Sequence, residues 1–274
     1  GSQAPPRFAI AYWSIRGLGA PLRMMLCAGR VDHTVYMYDI VEEGEKGWNS
    51  SYFKEKPELI EKHRCPLMNL PYVVDRDEKR VVCQTNACMQ FLGKEVGMMG
   101  KDKAEQSKCE QLLGEIYDLR DVMTDFTYTS DGSTDKAKAA MKQASKHFNK
   151  LEMWLKFAAE DQGIAAALYL VGGGLSAPDF HLYEMLDQWC ALCDQYEIVD
   201  YLHTSSEKYP LLRAFKSSFE KLEENQFYLK SWLHRGLPFN NTMAKFGSAP
   251  GPAVYKRGQT TDWMGKGELS LKSP

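Results

Sequence analysis

The sequence predicts a small α/β domain followed by an all-helical domain. Up to residue 98, short apolar runs of strand length alternate with helical patterns, in the order strand, helix, strand, link, strand, strand, helix. Beyond residue 103 the apolar residues recur only at helical spacing. A chain of 274 residues can bury two modest cores. We therefore predict an N-terminal extension (1–7), an α/β domain (8–98), a helical domain (103–246) and an extended tail (247–274).

The composition excludes several classes of protein. Apolar residues make up 44% of the chain, charged residues 26%, and the net charge is −2. A nucleic-acid or acidic-membrane partner would call for clustered basic residues, and no apolar run reaches the length of a membrane span. Seven cysteines, an odd number, suggest free thiols in a reducing compartment. We expect a cytoplasmic protein, or an organellar one if a targeting segment has been removed.

The first elements are read from apolar runs and breaks. Phe8–Tyr12 is predicted as a buried strand, and Leu18–Ala28 has the spacing of a helix. Val35–Tyr38 is predicted as a second short strand. The segment Glu42–Lys62 is polar, and we expect it to be irregular, with one helical turn around Trp48–Phe53.

A hairpin and a helix complete the predicted α/β domain. Tyr72–Asp75 and Arg80–Cys83 are apolar runs joined by the charged turn Arg76–Lys79. Thr85 is well placed as the N-cap of a helix that begins at Asn86. These elements together predict a small mixed layer of strands and helices.

The second region consists of long amphipathic segments. Lys103–Tyr128 and Asp135–Glu160 are predicted helices, and the Ser176–Asp179 sequence "SAPD" has the capping-box pattern of a helix start. Helical patterns continue to Leu233. The tail Gly247–Pro274 is rich in Gly, Pro and Lys, and we expect it to be ordered only along the body of the protein or along a partner.

The segment Asn69-Leu70-Pro71 stands at the entrance to the third strand. A cis peptide bond here would turn the N–H and C=O of Leu70 outward, where an extended peptide could pair with them as an added strand. A trans proline that simply starts the strand is the alternative, and the sequence leaves both open.

Polar residues also follow the fourth strand. A helix that begins after Gln84 offers free N–H groups and a positive dipole end, and the side chains of Gln84 and Thr85 could add hydrogen bonds to a carboxylate. Ordinary capping would explain the threonine equally well.

Five motifs occur in an order and spacing that resemble one known family. They are "YWSIRGLGAPLR", "NLPYVVD", "QTNACMQFLGKEVGM", "SAPDFHLYEMLD" and the late "MAKFG". The chain resembles the cytosolic glutathione transferases from Phe8 to Phe246, with the mu class first and the sigma class next. The resemblance implies a thioredoxin-like domain that binds glutathione as co-substrate, a helical domain that shapes the second-substrate pocket, and a homodimer. The six histidines are dispersed without metal-ligand spacing, so we expect no metal.

The resemblance also assigns site residues. Tyr12 takes the place of the tyrosine that activates the thiol. The residues assigned to glutathione are Trp13, Trp48, Lys54, Asn69, Leu70, Pro71, Gln84, Thr85 and Asp118. Those assigned to the second-substrate pocket are Met123 and Tyr128. The placement of Trp48 and Lys54 is the weakest, because the Glu55–Arg64 segment is longer than the family pattern. Asp118 either crosses the dimer interface toward the γ-glutamyl amine or is a solvated acid.

Tyr12 has a chemical role in this interpretation. A free thiol has a pKa near 8.5, and a hydroxyl that donates a hydrogen bond to the sulfur favours the thiolate. Lowering the thiol pKa by about two units requires ~2.7 kcal/mol. We expect Gly17 and Gly19 to leave room for the thiol. Ser14 is the rival donor, although its offset from Arg23 does not match the serine-type pattern, and a purely structural Tyr12 is the alternative.

The sequence is compatible with three functions. The first is a detoxifying transferase that joins the glutathione thiolate to a small hydrophobic electrophile. The second is a non-catalytic subunit on the same fold, whose tail docks on a protein partner through Tyr255 and Trp263. The third is a thiol exchanger, which needs a cysteine at the first strand-to-helix turn. Cys27 lies too deep in its helix to serve as that cysteine. The Cys190–Cys193 motif, the only C-x-x-C of the sequence, is expected to be two thiols packed on or beside a helix, with redox or metal chemistry as the alternative.

Overall fold

The computed structural model describes residues 4–42, 47–248 and 266–271. The elements in chain order are β1 (Phe8–Trp13), α1 (Gly19–Ala28), β2 (His33–Tyr38), β3 (Val41–Glu42), β4 (Trp48–Asn49), α2 (Ser51–His63), β5 (Tyr72–Asp75), β6 (Arg80–Cys83), α3 (Thr85–Glu95), α4 (Lys103–Thr129), α5 (Thr134–Gln162), α6 (Ala177–Gln195), α7 (Pro210–Phe219), α8 (Glu223–Leu229), α9 (Trp232–Arg235) and β7 (Lys266–Leu271).

The chain divides into two compact units. The first contains the chain up to Leu92 together with Glu224–Thr242 and the segment from Ser248 onward. The second contains Gly93–Glu223 and Met243–Gly247. The sequence-based division places residues 224–242 in the helical domain, whereas in the structure they belong to the unit that contains the sheet.

The first unit is built on a five-stranded sheet in the order β6-β5-β1-β2-β7. The β1 and β2 strands are parallel, and every other neighbouring pair is antiparallel. Ile10, which is fully buried, stands between Val35 of β2 and Val73 of β5. Because β1 is central in the sheet, its apolar run is buried along nearly its whole length, as the sequence predicts.

An ion pair closes one end of this sheet. The Arg7 guanidinium donates to both oxygens of Asp75, at 3.0 Å from Nε and 2.8 Å from Nη2. The backbone N–H groups of Asp77 and Glu78 also donate to Asp75, so the carboxylate organises the charged turn between β5 and β6. The hydrogen bonds from Arg7 lower the pKa of Asp75 to about 2, although its burial acts in the opposite direction.

Helix α2 corrects the prediction of an irregular segment after Glu42. The helix covers 13 residues, and Ser50 caps it by accepting a hydrogen bond from the N–H of Tyr52 at 3.3 Å. Tyr52 is the residue of α2 that is buried, and it contacts the rings of Trp13 and Tyr38. Burial of this aromatic residue stabilises a helix whose remaining surface is too polar to show a clear apolar stripe.

The last described segment of the tail is a strand. Residues 266–271 pair antiparallel with β2, with His33 opposite Leu271 and Tyr38 opposite Lys266. This part of the tail is therefore extended along the body of the same chain. Residues 249–265 and 272–274 of the predicted tail, including Tyr255 and Trp263, lie outside the described residues, as do residues 1–3 of the predicted N-terminal extension.

The second unit is helical, as predicted. Asp102 caps α4 by accepting a hydrogen bond from the N–H of Glu105 at 2.9 Å. The predicted capping box at the start of α6 is present: an oxygen of Asp179 accepts from the N–H of Ser176 at 2.7 Å. None of the helices in the described ranges is long and apolar enough to cross a membrane. Within the same ranges, no group of three or more His, Cys, Asp or Glu residues could hold a metal ion.

Candidate functional site

The register of the sheet brings three predicted site segments to one edge. The β1–β5 and β5–β6 ladders both end at Tyr72. Chain continuity then places Tyr12, Pro71 and Gln84 next to one another beyond this last pair. We call this region the site edge. It comprises Tyr12, Trp13, Asn69, Leu70, Pro71, Gln84 and Thr85.

Tyr12 is packed against two glycines. The side chain is almost entirely buried, and a Cβ atom added at Gly17 would lie 2.9 Å from the Tyr12 Oη. A Cβ added at Gly19 would lie 2.8 Å from Cδ1 of the same ring. The space that these glycines provide is therefore filled by the tyrosine ring, which corrects the expectation that it is left for an approaching thiol. No hydrogen bond within the described part of the chain engages the Tyr12 hydroxyl.

A buried arginine holds the loop that follows Tyr12. Arg23 of α1 is fully buried, and its Nη2 donates to the carbonyl oxygens of Ile15 at 2.8 Å and Arg16 at 3.3 Å. Its Nη1 lies 3.6 Å from the sulfur of Met37. The role of Arg23 was missed by the sequence reasoning, although a single cation inside the apolar helix "PLRMMLCA" is a signal for it, because buried cations need partners.

The same loop is held from its other side. The N–H groups of Arg16 and Gly17 donate to the carbonyl oxygens of Pro238 and Phe239, at 2.8 Å and 3.0 Å. The Arg16 guanidinium lies over the Phe239 ring, 4.6 Å from its centroid. All four residues belong to the unit that contains the sheet. The loop is thus fixed by residues that are distant in sequence.

Ser14, the rival hydroxyl donor, is buried. Its N–H donates to the carbonyl oxygen of Tyr38 at 2.8 Å, which continues the β1–β2 pairing. Its Oγ is buried and has no hydrogen-bond partner within the described residues. A ligand at the surface of the site edge could not reach this hydroxyl without a rearrangement of the loop.

The loop that leads into β5 contains a cis proline. The Leu70–Pro71 bond is cis, one of the two alternatives that the sequence leaves open. Leu70 is buried and Asn69 is exposed.

The start of α3 completes the site edge. Gln84 is exposed, with a φ of 72°, and its carbonyl oxygen accepts from the N–H of Cys88 at 2.8 Å. Helix α3 begins at Thr85, so the prediction that Thr85 caps a helix from Asn86 is wrong by one residue. Thr85 is buried, and it is the first residue of a helix whose opening N–H groups have no partner in the helix itself.

Helix α2 lines this region with aromatic rings. The Trp13 ring meets those of Tyr52 and Phe53 edge-on, with centroid distances of 5.6 Å and 5.8 Å. Trp48 and Lys54, which the resemblance assigns to glutathione, are both exposed. The structure therefore brings Trp13 against α2, and it leaves Trp48 and Lys54 on the surface.

A hydrogen-bonded group that the sequence analysis missed links α2 to the sheet. The hydroxyls of Tyr38 and Tyr72 are 3.1 Å apart, and the Tyr38 hydroxyl donates to Glu55 at 3.3 Å. Burial raises the pKa of both tyrosines, that of Tyr72 to about 12. The available signal was a tyrosine on each of two predicted strands that follow one another in the sequence, but their partner Glu55 is on a helix that the sequence analysis did not predict.

Comparisons with known proteins agree on one family. A family model described as "Glutathione S-transferase, C-terminal domain" matches residues 117–232. The chain is 27% identical over 250 residues to the class-mu 26 kDa isozyme 1 of Fasciola hepatica, covering 90% of this chain and 98% of that protein. It is 28% identical over 244 residues to the class-mu 26 kDa isozyme of Schistosoma japonicum, covering 89% and 97%.

A solved structure agrees in fold. The Pi-class glutathione S-transferase of Onchocerca volvulus matches with a TM-score of 0.63 and 20% identity, over 87% of this chain and 99% of that one. The chain is therefore similar to the glutathione S-transferases in sequence and in fold. Its α/β unit is the thioredoxin-like part of this fold, its helical unit is the all-α part, and the curated relatives named above are mu-class proteins.

The residues that the glutathione transferase resemblance assigns within the helical unit lie on α4. Asp118 is exposed, so both of its predicted roles stay open. Met123 is buried, and Tyr128 is half-buried near the end of the helix.

The Cys190–Cys193 motif is on α6. Cys190 is half-buried and Cys193 is fully buried. Burial raises the pKa of the two thiols to about 12 and about 11 respectively. These are the environments of structural thiols, as expected from the sequence.

Proposed function

We propose that this protein is a glutathione transferase that binds glutathione at the site edge and uses Tyr12 to stabilise its thiolate. The observation that carries the proposal is the convergence, through one sheet register, of Tyr12, the Leu70–Pro71 turn and the start of α3. The mu-class relatives are named as glutathione S-transferases and are matched over nearly their full lengths, which supports the same activity.

Glutathione would be bound along this edge by backbone and helix-end groups. The N–H and C=O of Leu70 would pair with the cysteinyl residue as an added strand does. The γ-glutamyl carboxylate would accept from the opening N–H groups of α3, with the Gln84 amide and the Thr85 hydroxyl adding hydrogen bonds. Trp13 would form one wall, held by its contacts with Tyr52 and Phe53.

Tyr12 would act through its phenolic proton. A hydrogen bond to a charged acceptor contributes about 1.5–3 kcal/mol, which corresponds to a thiol pKa lower by roughly one to two units. The Arg23 and Phe239 contacts fix the loop that packs on the ring, so the hydroxyl is positioned before glutathione arrives. The sulfur then forms a bond to the electrophilic carbon, and either a leaving group departs or the adduct takes up a proton.

The remaining parts of the site come from the family pattern. Met123 and Tyr128 would contribute to the pocket for a small hydrophobic electrophile. Asp118 would reach the γ-glutamyl amine of the second subunit in a homodimer, and its exposure on α4 supports an available carboxylate. We place the enzyme in the cytoplasm, and we propose no nucleic-acid, metal or membrane partner.

The test compares Tyr12→Phe with Ser14→Ala. Removing the Tyr12 hydroxyl should lower the conjugation rate with a generic aryl halide about 10- to 100-fold near neutral pH. It should also move the apparent pKa of the pH–rate profile up toward that of a free thiol, about 8.5, while glutathione affinity changes little. Ser14→Ala removes a buried hydroxyl without a partner, so it should leave the rate and the pH profile unchanged.

Two results would contradict the proposal. If Ser14→Ala abolished turnover and Tyr12→Phe did not, a serine would be the thiol-activating residue. If the wild-type protein did not bind glutathione at millimolar concentration, the non-catalytic subunit would be the better description. Glutathione binding, measured by calorimetry before any rate is measured, separates these two outcomes.

A further inference from the structure

Two cysteines are in contact beside the site edge. The Sγ atoms of Cys65 and Cys83 are 3.6 Å apart, although the residues are 18 positions apart in sequence. All seven cysteines are free thiols, and within the described residues this is the pair whose sulfurs touch. Neither residue has a part in the proposed reaction. A thiol pair in direct contact is the arrangement from which a disulfide can form.

A turn holds Cys65 in this position. The N–H of Met68 donates to the carbonyl oxygen of Cys65 at 3.1 Å, which closes a four-residue turn with Pro66 in its second position. Proline favours this position because its φ is already that of the turn. Met68 is buried, and its sulfur lies 3.9 Å from the sulfur of Cys83. The Cys65 side chain is therefore fixed against the end of β6.

The two thiols differ in access. Cys65 is half-exposed, whereas Cys83 is buried. Burial raises the pKa of Cys83 to about 11, and the nearby backbone of Asn69 offsets part of this effect. A soluble oxidant would therefore meet Cys65 first, with Cys83 held behind it as the second thiol.

We propose that Cys65 and Cys83 form a reversible intramolecular disulfide when the protein meets a peroxide. The Cys65 thiolate attacks one oxygen of hydrogen peroxide, the O–O bond breaks, and Cys65 becomes a sulfenic acid while the other oxygen leaves as water after protonation. The Cys83 thiol loses its proton as its sulfur attacks the Cys65 sulfur, the S–S bond forms, the S–O bond breaks, and the leaving hydroxide takes up a proton to become water. In total, two thiols lose two electrons, and one peroxide is reduced to two waters.

The disulfide would couple the oxidation state to glutathione binding, a consequence that rests on the proposed function. Cys83 directly precedes Gln84, and the Cys65–Met68 turn directly precedes Asn69 and Leu70. A disulfide bond is about 2.05 Å long, so the sulfurs must approach by roughly 1.5 Å from their separation of 3.6 Å. This movement shifts one glutathione-binding segment relative to the other, and we expect glutathione affinity to fall about fivefold or more.

The first experiment detects the bond itself. The full-length protein is treated with hydrogen peroxide, its free thiols are blocked with N-ethylmaleimide, and it is digested without reduction for mass spectrometry. We expect a linked peptide pair that contains Cys65 and Cys83 and that disappears with a dithiol. Cys65→Ser should remove the pair, and Cys190→Ser, which changes another half-exposed cysteine, should keep it.

The proposal is overturned if peroxide-treated protein yields no such pair, whether or not Cys65 is oxidised, or if Cys65 links instead to a second chain. Because the wild-type peptide map needs no variant, a folding defect in Cys65→Ser cannot hide the answer.

The second experiment measures the glutathione dissociation constant of reduced and oxidised protein by calorimetry. We expect the constant to rise on oxidation of the wild type and to stay unchanged in peroxide-treated Cys65→Ser. A linked peptide with an unchanged dissociation constant would overturn the coupling. If the reduced protein does not bind glutathione at all, the proposed function fails, while the peptide map still decides whether the disulfide forms.

Discussion

Each unit of this protein buries a carboxylate that accepts backbone hydrogen bonds, and the two carboxylates have opposite electrostatics. Asp75, in the unit that contains the sheet, accepts two hydrogen bonds from Arg7, and its pKa falls to about 2. Asp179, in the helical unit, accepts from the N–H of Leu170 at 2.8 Å and from the N–H and Oγ of Ser176 at 2.7 Å. Burial raises the pKa of Asp179 to about 7, and these hydrogen bonds offset part of that rise.

The difference between the two sites is a cation. Within the described residues, no basic side chain is bonded to Asp179, whereas Arg7 lies 2.8 Å from Asp75 and Arg80 lies 3.5 Å from it. A cation offsets the cost of burying a negative charge, and hydrogen bonds from neutral groups offset less of it. Two buried aspartates at strand and helix ends can therefore respond to pH in opposite directions.

The largest effect is expected from Asp179→Ala. The substitution removes the capping box of α6 and leaves the buried N–H groups of Leu170 and Ser176 without their acceptor, so the free energy of unfolding should fall by about 3 kcal/mol. Urea denaturation followed by circular dichroism measures this. Asp135→Ala is the matched control, because Asp135 is an exposed acid in the first turn of α5 and should cost well under about 1 kcal/mol. Equal losses in the two variants would contradict the structural role of Asp179.

A smaller effect is expected from Asp75→Asn. At neutral pH the loss of the charged pair with Arg7 should lower the free energy of unfolding by roughly 2 kcal/mol. Asp77→Asn is the control in the same turn, since Asp77 is exposed and its carboxylate lies 3.8 Å from Arg7. A loss for Asp77→Asn as large as that for Asp75→Asn would show that the net charge of the turn, rather than the buried pair, is responsible.

The smallest and most discriminating effect is the pH dependence of the two differences. Asp75 has a folded-state pKa below its unfolded value, so its stabilising effect is present above about pH 4 and is lost as the pH falls toward about 2. Asp179 has a folded-state pKa above its unfolded value, so its contribution is greatest below about pH 4 and declines as the pH rises toward about 7. The difference in unfolding free energy between wild type and Asp75→Asn should therefore shrink on acidification below about pH 4. The difference between wild type and Asp179→Asn should shrink as the pH rises from about 4 to about 7.

Two buried histidines also make the stability depend on pH in acid, but their effect cancels when a variant is compared with the wild type. Burial lowers the pKa of His33 to about 4 and that of His181 to about 3, so acid destabilises the fold through both. Because each variant keeps both histidines, their contribution cancels in the difference from wild type. If the difference in unfolding free energy between wild type and Asp179→Asn did not change with pH, the three hydrogen bonds to Asp179 would fully offset the effect of burial on its pKa.

The fold was predictable where one pattern determined one element. The alternation of apolar runs predicted β1, β5 and β6, and "SAPD" predicted the start of α6, because local residues suffice for both. Helix α2 was not predictable, since it is stabilised by burial of Tyr52 against Trp13 and Tyr38 rather than by an apolar stripe. The same holds for β7, whose partner strand is more than two hundred residues away in sequence.

The residues of the candidate site were predictable from motifs along the chain, but the contacts that hold them in place were not. Tyr12, Pro71 and Gln84 were singled out from motifs, and the register brings these three to one edge. The space at Gly17 is taken by the Tyr12 ring, and the loop is fixed by Arg23. Both features depend on packing between segments, which spacing along the chain does not encode.

The pairing of residues 266–271 with β2 has a consequence for laboratory handling. A sheet border whose peptide groups face water can recruit a matching strand from another molecule, and here residues 266–271 of the same chain occupy that border. Shortening the protein to the length of its relatives would remove the strand that covers this border. Fusing a carrier at its end could displace the same strand. Preparations made in this way would be prone to stick together for reasons unrelated to glutathione.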